Sequence, residues 1–330
     1  MNSEIGIIGS RGSCQVEAII LKPLGPNQVR IRVSYAGVNR ADVEQSLGLY
    51  PPPPNASPVL GLECSGFIEE IGPEVKELKV GEKVMALLTG GGFATCVNAD
   101  AECVLKIPEH LTMVEAAVTP ESIFTFWANA VMDGGLCAGK TFLVHGGASG
   151  LGSFSLEMAK AMGCRTMSSA RGVDRVSFIK NVLLADSVID TENLSTEAFG
   201  LEMLKVLGEE SVDVIMDHLG SEVLGIHLKI LKHLGRIIFI NAVTGEKGYI
   251  DLDPLIGKRI HMIGSLLRGR PLVEKDSIKL SIIENAIPLM VEKKLRPKVD
   301  LQIPLQDFRR AFERLSQRKN LGKVVLAMGS

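Results

Sequence analysis

Thr141-Phe142-Leu143-Val144-His145-Gly146-Gly147-Ala148-Ser149-Gly150-Leu151-Gly152 sets an apolar strand against a glycine turn and the start of a helix. Gly147, Ser149 and Gly152 hold the three positions of G-x-G-x-x-G, with serine replacing the middle glycine. The first glycine permits the tight turn, and the last lets the helix pack closely on the strand. A small middle residue lets the backbone approach a pyrophosphate, which then rests at the positive end of the helix. Gly147, Ala148, Ser149, Gly150, Leu151 and Gly152 are therefore candidate cofactor-binding residues. A bare glycine connector would look the same in isolation. The strand before it, the helix after it and the repeating units beyond favour a dinucleotide.

Outward from this loop, apolar runs at 165–169, 187–190, 212–217, 236–240 and 261–266 alternate with helical patterns at 152–162, 175–184 and 223–234. Strands alternating with helices of this length predict a doubly wound parallel sheet covered on both faces. The chain before about residue 120 has a different texture. Gln28-Val29-Arg30-Ile31-Arg32-Val33 alternates with the period of a half-buried strand, and 64–71, 83–88 and 93–97 are further short candidates. They predict a small barrel or sandwich, with Pro51–Pro54 as a rigid surface loop or strand entry. A helical stretch at 113–132 joins the two parts. Amphipathic helices at 277–293 and 306–317 and a strand at 323–326 are expected to return to the first domain. The expected class is α/β.

The second strand of the parallel set reports on the dinucleotide. An acid about 20 residues past the loop would hold the ribose hydroxyl of NAD. Here Met167-Ser168-Ser169-Ala170-Arg171-Gly172-Val173-Asp174-Arg175 offers no acid at the strand end, and two arginines follow it. A 2′-phosphate favours guanidinium groups and is repelled by a carboxylate. Arg171 and Arg175 thus point to NADPH, the alternative being two solvated residues at a helix start.

Composition narrows the class. The chain has 330 residues, long enough for two domains at ~100–200 residues each. Its 36 basic and 38 acidic residues leave a net charge of −2, without the basic excess of a nucleic-acid binder. No apolar run reaches the ~18 residues of a membrane span, and residues 1–12 lack the pattern of a signal peptide. Six scattered cysteines form no CxxC pair. A cytoplasmic protein with reduced thiols is expected. His110, His227, His233 and His261 show no metal-ligand spacing with one another, and His145 and His218, after strands, read as structural residues.

Several motifs occur in order: Gly37-Val38-Asn39-Arg40-Ala41-Asp42, Leu47-Gly48-Leu49-Tyr50-Pro51-Pro52, Gly61-Leu62-Glu63-Cys64-Ser65-Gly66 and Gly90-Gly91-Gly92-Phe93-Ala94. Leu183-Leu184-Ala185-Asp186-Ser187-Val188-Ile189-Asp190, Ser265-Leu266-Leu267-Arg268 and Asn320-Leu321-Gly322-Lys323 follow. Together they resemble the zinc-free quinone oxidoreductases (zeta-crystallin-like) of the medium-chain dehydrogenase/reductase superfamily, a group similar also to the enoyl reductase domains of polyketide synthases. The resemblance spans essentially the whole chain. It implies a discontinuous GroES-like catalytic domain, 1–120 and 268–330, around a Rossmann NADP-binding domain, 121–267, with the active site in the cleft between them. It also implies a homodimer. The strand pattern of His261-Met262-Ile263-Gly264-Ser265-Leu266-Leu267 supports this, being free of proline and placed at a sheet edge.

The resemblance further implies site residues. Asn39 and Tyr50 match positions at the nicotinamide and substrate end, where Tyr50 either donates a hydrogen bond or proton or packs on the proline loop. Thr125 resembles the threonine that meets the nicotinamide ring. Ile240, Asn241, Leu266, Leu267 and Asn320 match positions around nicotinamide and ribose, and Arg268 either binds a phosphate or pairs with an acid. Two departures stand out: Leu184 replaces a usual glycine, and Asp190 a frequent tyrosine near the adenine phosphate. The alcohol dehydrogenase branch has a cysteine ligand at Asn39, a histidine at Leu62 and a four-cysteine lobe absent here. Glu63 and Cys64 alone do not complete a three-ligand site, so no metal is expected.

The expected activity is hydride transfer from NADPH to a quinone or an α,β-unsaturated carbonyl, both small molecules whose acquired charge is delocalised. One alternative is a stand-alone enoyl reductase acting on carrier-bound acyl thioesters. Another is an NADPH-binding protein without turnover.

Overall fold

The computed structural model describes residues 4–9, 12–54 and 56–329. The chain divides into two compact units, one formed by the chain up to Phe124 and from Arg268 onward, the other by Thr125–Leu267.

The first unit is organised by the strand Gln28–Val38. Its alternating residues Val29, Ile31 and Val33 are buried while the arginines between them reach outward to Glu4, Glu69 and Glu70. This strand pairs antiparallel with Glu63–Ile71, Cys96–Asp100 and Lys323–Ala327. Register shifts along it let one strand serve three partners, the usual effect of bulges in a closing sheet. The full order runs Val299–Pro304, Lys323–Ala327, Gln28–Val38, Glu63–Ile71, Lys83–Leu87, Val104–Lys106. One apolar core unites Ile31, Leu60, Cys64, Ile68, Phe93, Phe308 and Leu326. The pairing Val324↔Val38 brings Lys323 beside Asn39, which begins the helix Arg40–Ser46.

The second unit carries six parallel strands in the order Ser187–Asp190, Arg165–Ala170, Thr141–His145, Val212–Asp217, Leu231–Phe239, His261–Gly264. This is the 3-2-1-4-5-6 order of a Rossmann sheet. All five residues of Thr141–His145 are buried, as a central strand covered on both faces requires.

Three elements differ from the sequence expectation. The helix expected over 223–234 spans Ser221–Ile230, and the chain passes directly into the strand beginning at Leu231. Leu234, at φ 61°, then turns the backbone within that strand. The helix expected over 277–293 is three pieces, Leu272–Ser281, a π turn Ile282–Ala286, and Ile287–Glu292. Pro288 has no amide to close the regular ladder, and the wider turn precedes it. The stretch 113–132 likewise breaks into Met113–Ala116, Pro120–Phe126 and a π turn, Trp127–Asp133.

Candidate functional site

In the second unit, every parallel strand ends on the same edge of the sheet, where ligands of this architecture bind. From that edge leave the glycine loop, Arg171, Ile240 and Asn241, and Leu266 and Leu267. The loop is built as its sequence suggests. A Cβ on Gly147 would collide with Ser168, and one on Gly152 with the carbonyl of Gly146. Ser149 caps the helix Gly150–Ala161, its Oγ accepting from Gly152 N at 3.1 Å. Ser149 is exposed and Gly150 half-buried, so the first helical turn is open to an anion.

Beyond the second strand Arg171 is exposed, while the amide of Gly172 donates to Asp190 Oδ1 at 2.9 Å. Asp190 ends the neighbouring strand and pairs with Ala170. A carboxylate therefore stands one residue from Arg171, supplied from a strand the local motif does not include. The hydroxyls of Ser168 and Ser169 turn inward, to Val144 O and to His145 Nδ1. Ile240 donates its amide to Asp217 O at 2.8 Å, and the Asn241 side chain accepts from Ala242 N. Thr125 is buried at the end of Pro120–Phe126, and its carbonyl accepts the side-chain amide of Asn129 at 2.7 Å.

Beneath this edge lies a buried histidine pair. His145 Nε2 and His227 Nε2 are 2.8 Å apart with their rings stacked, and His145 Nδ1 meets Ser169 Oγ at 2.8 Å. Burial pushes the His227 imidazole down to about 3 and holds His145 well below its ordinary range, so both are neutral near pH 7. Asp217 converges on them, the three donor atoms lying within 4.8 Å of one another. Two nitrogens on a tetrahedral zinc, with bonds of ~2.0 Å, stand roughly 3.3 Å apart. The observed spacing is instead that of one imidazole donating to the other. Asp217 is committed to the amides of Leu219 and Gly220, which shape the turn after its strand.

In the first unit, half-buried Asn39 and buried Glu63 and Lys323 form a triad. Asn39 Nδ2 donates to Glu63 Oε1 at 2.9 Å, and Lys323 Nζ donates to Asn39 Oδ1 at 2.5 Å and to Glu63 Oε1. Glu63 Oε2 accepts from Glu121 N at 3.0 Å. Gly37 makes room for this carboxylate, since a Cβ there would strike it. Asp42 receives the amide of Asn39 at 2.7 Å, and burial pushes its carboxyl up to about 7. Glu121 is likewise pushed up to about 7, by burial and by Glu63.

Nearby in the same unit, the Arg268 guanidinium lies over the Tyr50 ring, 5.3 Å from its centroid. Among the described residues, Arg268 makes no ion pair with an acid, and it does not stand at the surface. It is 8% exposed, and it donates to Thr89 O from Nε at 3.0 Å and to Gln45 Oε1 from Nη2 at 2.7 Å. Burial raises the Tyr50 phenol, and Arg268 opposes that rise. Asn320 donates to Gly322 O at 2.7 Å and shapes the turn before Lys323. Lys323, Gln45 and Glu121 had no role in the sequence reading. Lys323 stood within a recognised motif, but its partner lies 260 residues away.

A β-rich unit made from both chain ends and a Rossmann unit define a dehydrogenase or reductase of two-domain type. The models for the alcohol dehydrogenase GroES-like domain and the zinc-binding dehydrogenase match residues 25–109 and 150–282. The chain belongs to the medium-chain dehydrogenase/reductase superfamily of oxidoreductases. Over 316 residues it is 28% identical to the synaptic vesicle membrane protein VAT-1 homolog-like of Mus musculus, covering 91% of this chain and 74% of that one. It is 27% identical to quinone oxidoreductase-like protein 2 of Bos taurus, covering 95% and 88%. It is 30% identical to part of the polyketide synthase GfsB of Streptomyces halstedii, covering 93% of this chain and 5% of that one. Among solved structures, its fold matches the CurK enoyl reductase at a TM-score of 0.80 and 24% identity, covering 99% and 100%. It matches mycobacterial Rv1454c complexed with NADPH at 0.81 and 23%, covering 98% of each chain. No helix among the described residues is long and apolar enough to cross a membrane.

Proposed function

We propose that this oxidoreductase reduces a quinone or an α,β-unsaturated carbonyl with NADPH and without zinc. The observation that carries the reading is the Lys323–Glu63–Asn39 triad. A metal at this place needs three ligands and an open position. Here Asn39 is held at both ends of its amide, Leu62 is hydrocarbon, and Glu63 already bears an ammonium. Cys64 points into the apolar core, its thiol pushed well up by burial and by Glu63. These residues do not fit a zinc ion, and no step is assigned to one. Without a Lewis acid, the favoured acceptor is a carbon whose charge spreads into an enolate or a hydroquinone anion.

The open first turn at Ser149 and Gly150 fits a pyrophosphate, and Arg171 and Arg175 fit a 2′-phosphate, with Thr125, Ile240, Asn241, Leu266, Leu267 and Asn320 toward the nicotinamide and ribose. When bound, NADPH supplies the hydride. Tyr50 donates to the substrate oxygen or delivers the proton, and Asn39, fixed by Glu63 and Lys323, shapes the wall beside it. The names of the bovine quinone oxidoreductase-like relative and the CurK enoyl reductase support the two substrate classes. The chain acts as a homodimer paired through His261–Gly264, the exposed edge of the parallel sheet. Its six free cysteines suit a reducing, cytoplasmic setting.

Reduction of an enone with NADPH deuterated at the transferable position tests this. The product is expected to carry one deuterium on the β-carbon, and Tyr50→Phe is expected to lower kcat by ~100-fold or more. An enone recovered unchanged, with a panel of quinones equally inert, would reject the reading.

A further inference from the structure

Arg268 is a buried cation without a carboxylate among its hydrogen-bond acceptors in the described residues. Its Nε and Nη2 are taken by the carbonyl of Thr89 and the amide oxygen of Gln45, both neutral. Its Nη1 is buried and has no hydrogen-bond partner among the described residues. Its backbone is also fixed, since Lys275 Nζ donates to Arg268 O at 3.0 Å. The guanidinium is thus clamped in place, its charge spent on no direct ion pair, and it faces the ring of a half-buried tyrosine. A cation within ~6 Å of a ring face attracts its quadrupole, and it attracts a phenolate far more strongly where water is scarce.

We propose that Arg268 is the positioning residue that makes Tyr50 a competent acid, holding its ring in place and stabilising the phenolate left after proton transfer. The proposal rests on the reading of Tyr50 as proton donor. In that step, hydride adds to the β-carbon and the C=C electron pair moves onto the carbonyl as an enolate. The Tyr50 O–H bond then breaks, its proton passes to the enolate, and the phenolate is reprotonated from water. Arg268 acts during the interval in which Tyr50 carries negative charge. Other groups bear on the same phenol: Glu121 and Glu44 oppose its ionisation, and burial opposes it most. Asp42 and Glu121 in turn favour the charged guanidinium. Among the described residues named as acting on Tyr50, Arg268 is the one that favours the phenolate.

The test combines a spectroscopic titration with a rate profile. The chain has three tyrosines, so the ultraviolet titration of Tyr50 is obtained by subtracting that of Tyr50→Phe. In Arg268→Gln the Tyr50 step is expected to move up by about one pH unit, with the basic limb of kcat moving alongside and kcat falling ~10-fold. Arg268→Lys, which keeps the charge, should recover most of both. Adding Arg268→Gln to Tyr50→Phe should reduce kcat little further, because the two act as one unit. If Arg268→Gln does not fold, Gln45→Glu sets a carboxylate against Nη2 and is expected to move the titration in the same direction. An unshifted Tyr50 titration in folded variants of an enzyme that needs Tyr50 would overturn the proposal alone. A fully active Tyr50→Phe enzyme would overturn the proton-donor reading and the proposal with it.

Discussion

Lys323 places its ammonium on the carboxylate of Glu63, with the two side chains 5% and 0% exposed. The pair joins the last strand of the chain to the strand Glu63–Ile71 through the Asn39 amide. A buried pair of this kind is sustained by its geometry and its extra hydrogen bonds, since each ion alone is expensive to desolvate.

Removing one partner should therefore be worse than removing both. Lys323→Met is expected to lower stability by about 3–5 kcal/mol, because it strands the Glu63 charge. Adding Glu63→Gln to it should restore a large part of the loss. Urea unfolding of the single and double variants measures this, and equal destabilisation by both would show that the pair is not coupled.

The histidine pair makes acid the weak side of the Rossmann unit. His227 is neutral in the fold, pushed down to about 3 from an ordinary 6.5. Its contribution is full above pH 6.5 and is lost as pH falls from there toward 3. Asp217, pushed up to about 6 by burial, works in the opposite direction and offsets part of the loss. Between pH 7 and pH 5, the stability difference between the natural protein and His227→Leu should change by roughly 2 kcal/mol in favour of the variant. A pH-independent difference would place the histidine charge elsewhere.

The glycine loop's strand, turn and helix start were legible because everything they need is local: an apolar run, three small residues and a helix start between Thr141 and Gly152. The parallel strands were legible for the same reason, their apolar runs being continuous. Contacts set by register between distant segments were hidden. Lys323 meets Glu63 only because Val324 pairs with Val38, and His227 meets His145 only because a helix packs back over the first parallel strand. Asp190 lay in a recognised motif, but its place beside Gly172 follows from its pairing with Ala170. The sequence reads Arg268 as binding a phosphate or pairing with an acid, while its guanidinium meets the carbonyl of Thr89, the side-chain amide of Gln45 and the Tyr50 ring, contacts set by packing between distant segments. The strand at Leu231 was read as helix because Leu228, Ile230 and Leu231 suit either period, and tertiary pairing decided it.

Cofactor choice should depend on the charges around Gly172. A charge-assisted hydrogen bond contributes ~1.5–3 kcal/mol, so Arg171→Ala is expected to weaken NADPH by roughly 10–100-fold and NADH little. Asp190→Asn keeps an acceptor for the Gly172 amide and removes the nearby negative charge, which should favour NADPH further. Fluorescence titration with both cofactors checks the pair, and an equal loss of NADPH and NADH in Arg171→Ala would remove the 2′-phosphate assignment.

The edge strand His261–Gly264 exposes His261, Met262 and Gly264 and, among the described residues, has a strand partner on one side only. Pairing with a second copy about a two-fold axis would cover both edges. Light scattering at low micromolar concentration should give twice the monomer mass, and Ile263→Pro should halve it. A monomer throughout, or a dimer indifferent to the proline, would reject this interface.

The central claim, metal-independent reduction by NADPH, is tested most directly by turnover of chelator-treated protein. Nicotinamide absorbance is followed with a quinone, an enone and a crotonyl thioester, and metal content is measured on the same sample. NADPH should be consumed with at least one of them at an undiminished rate in protein free of zinc. Activity that disappears with a stoichiometric zinc ion and returns on its addition would contradict it.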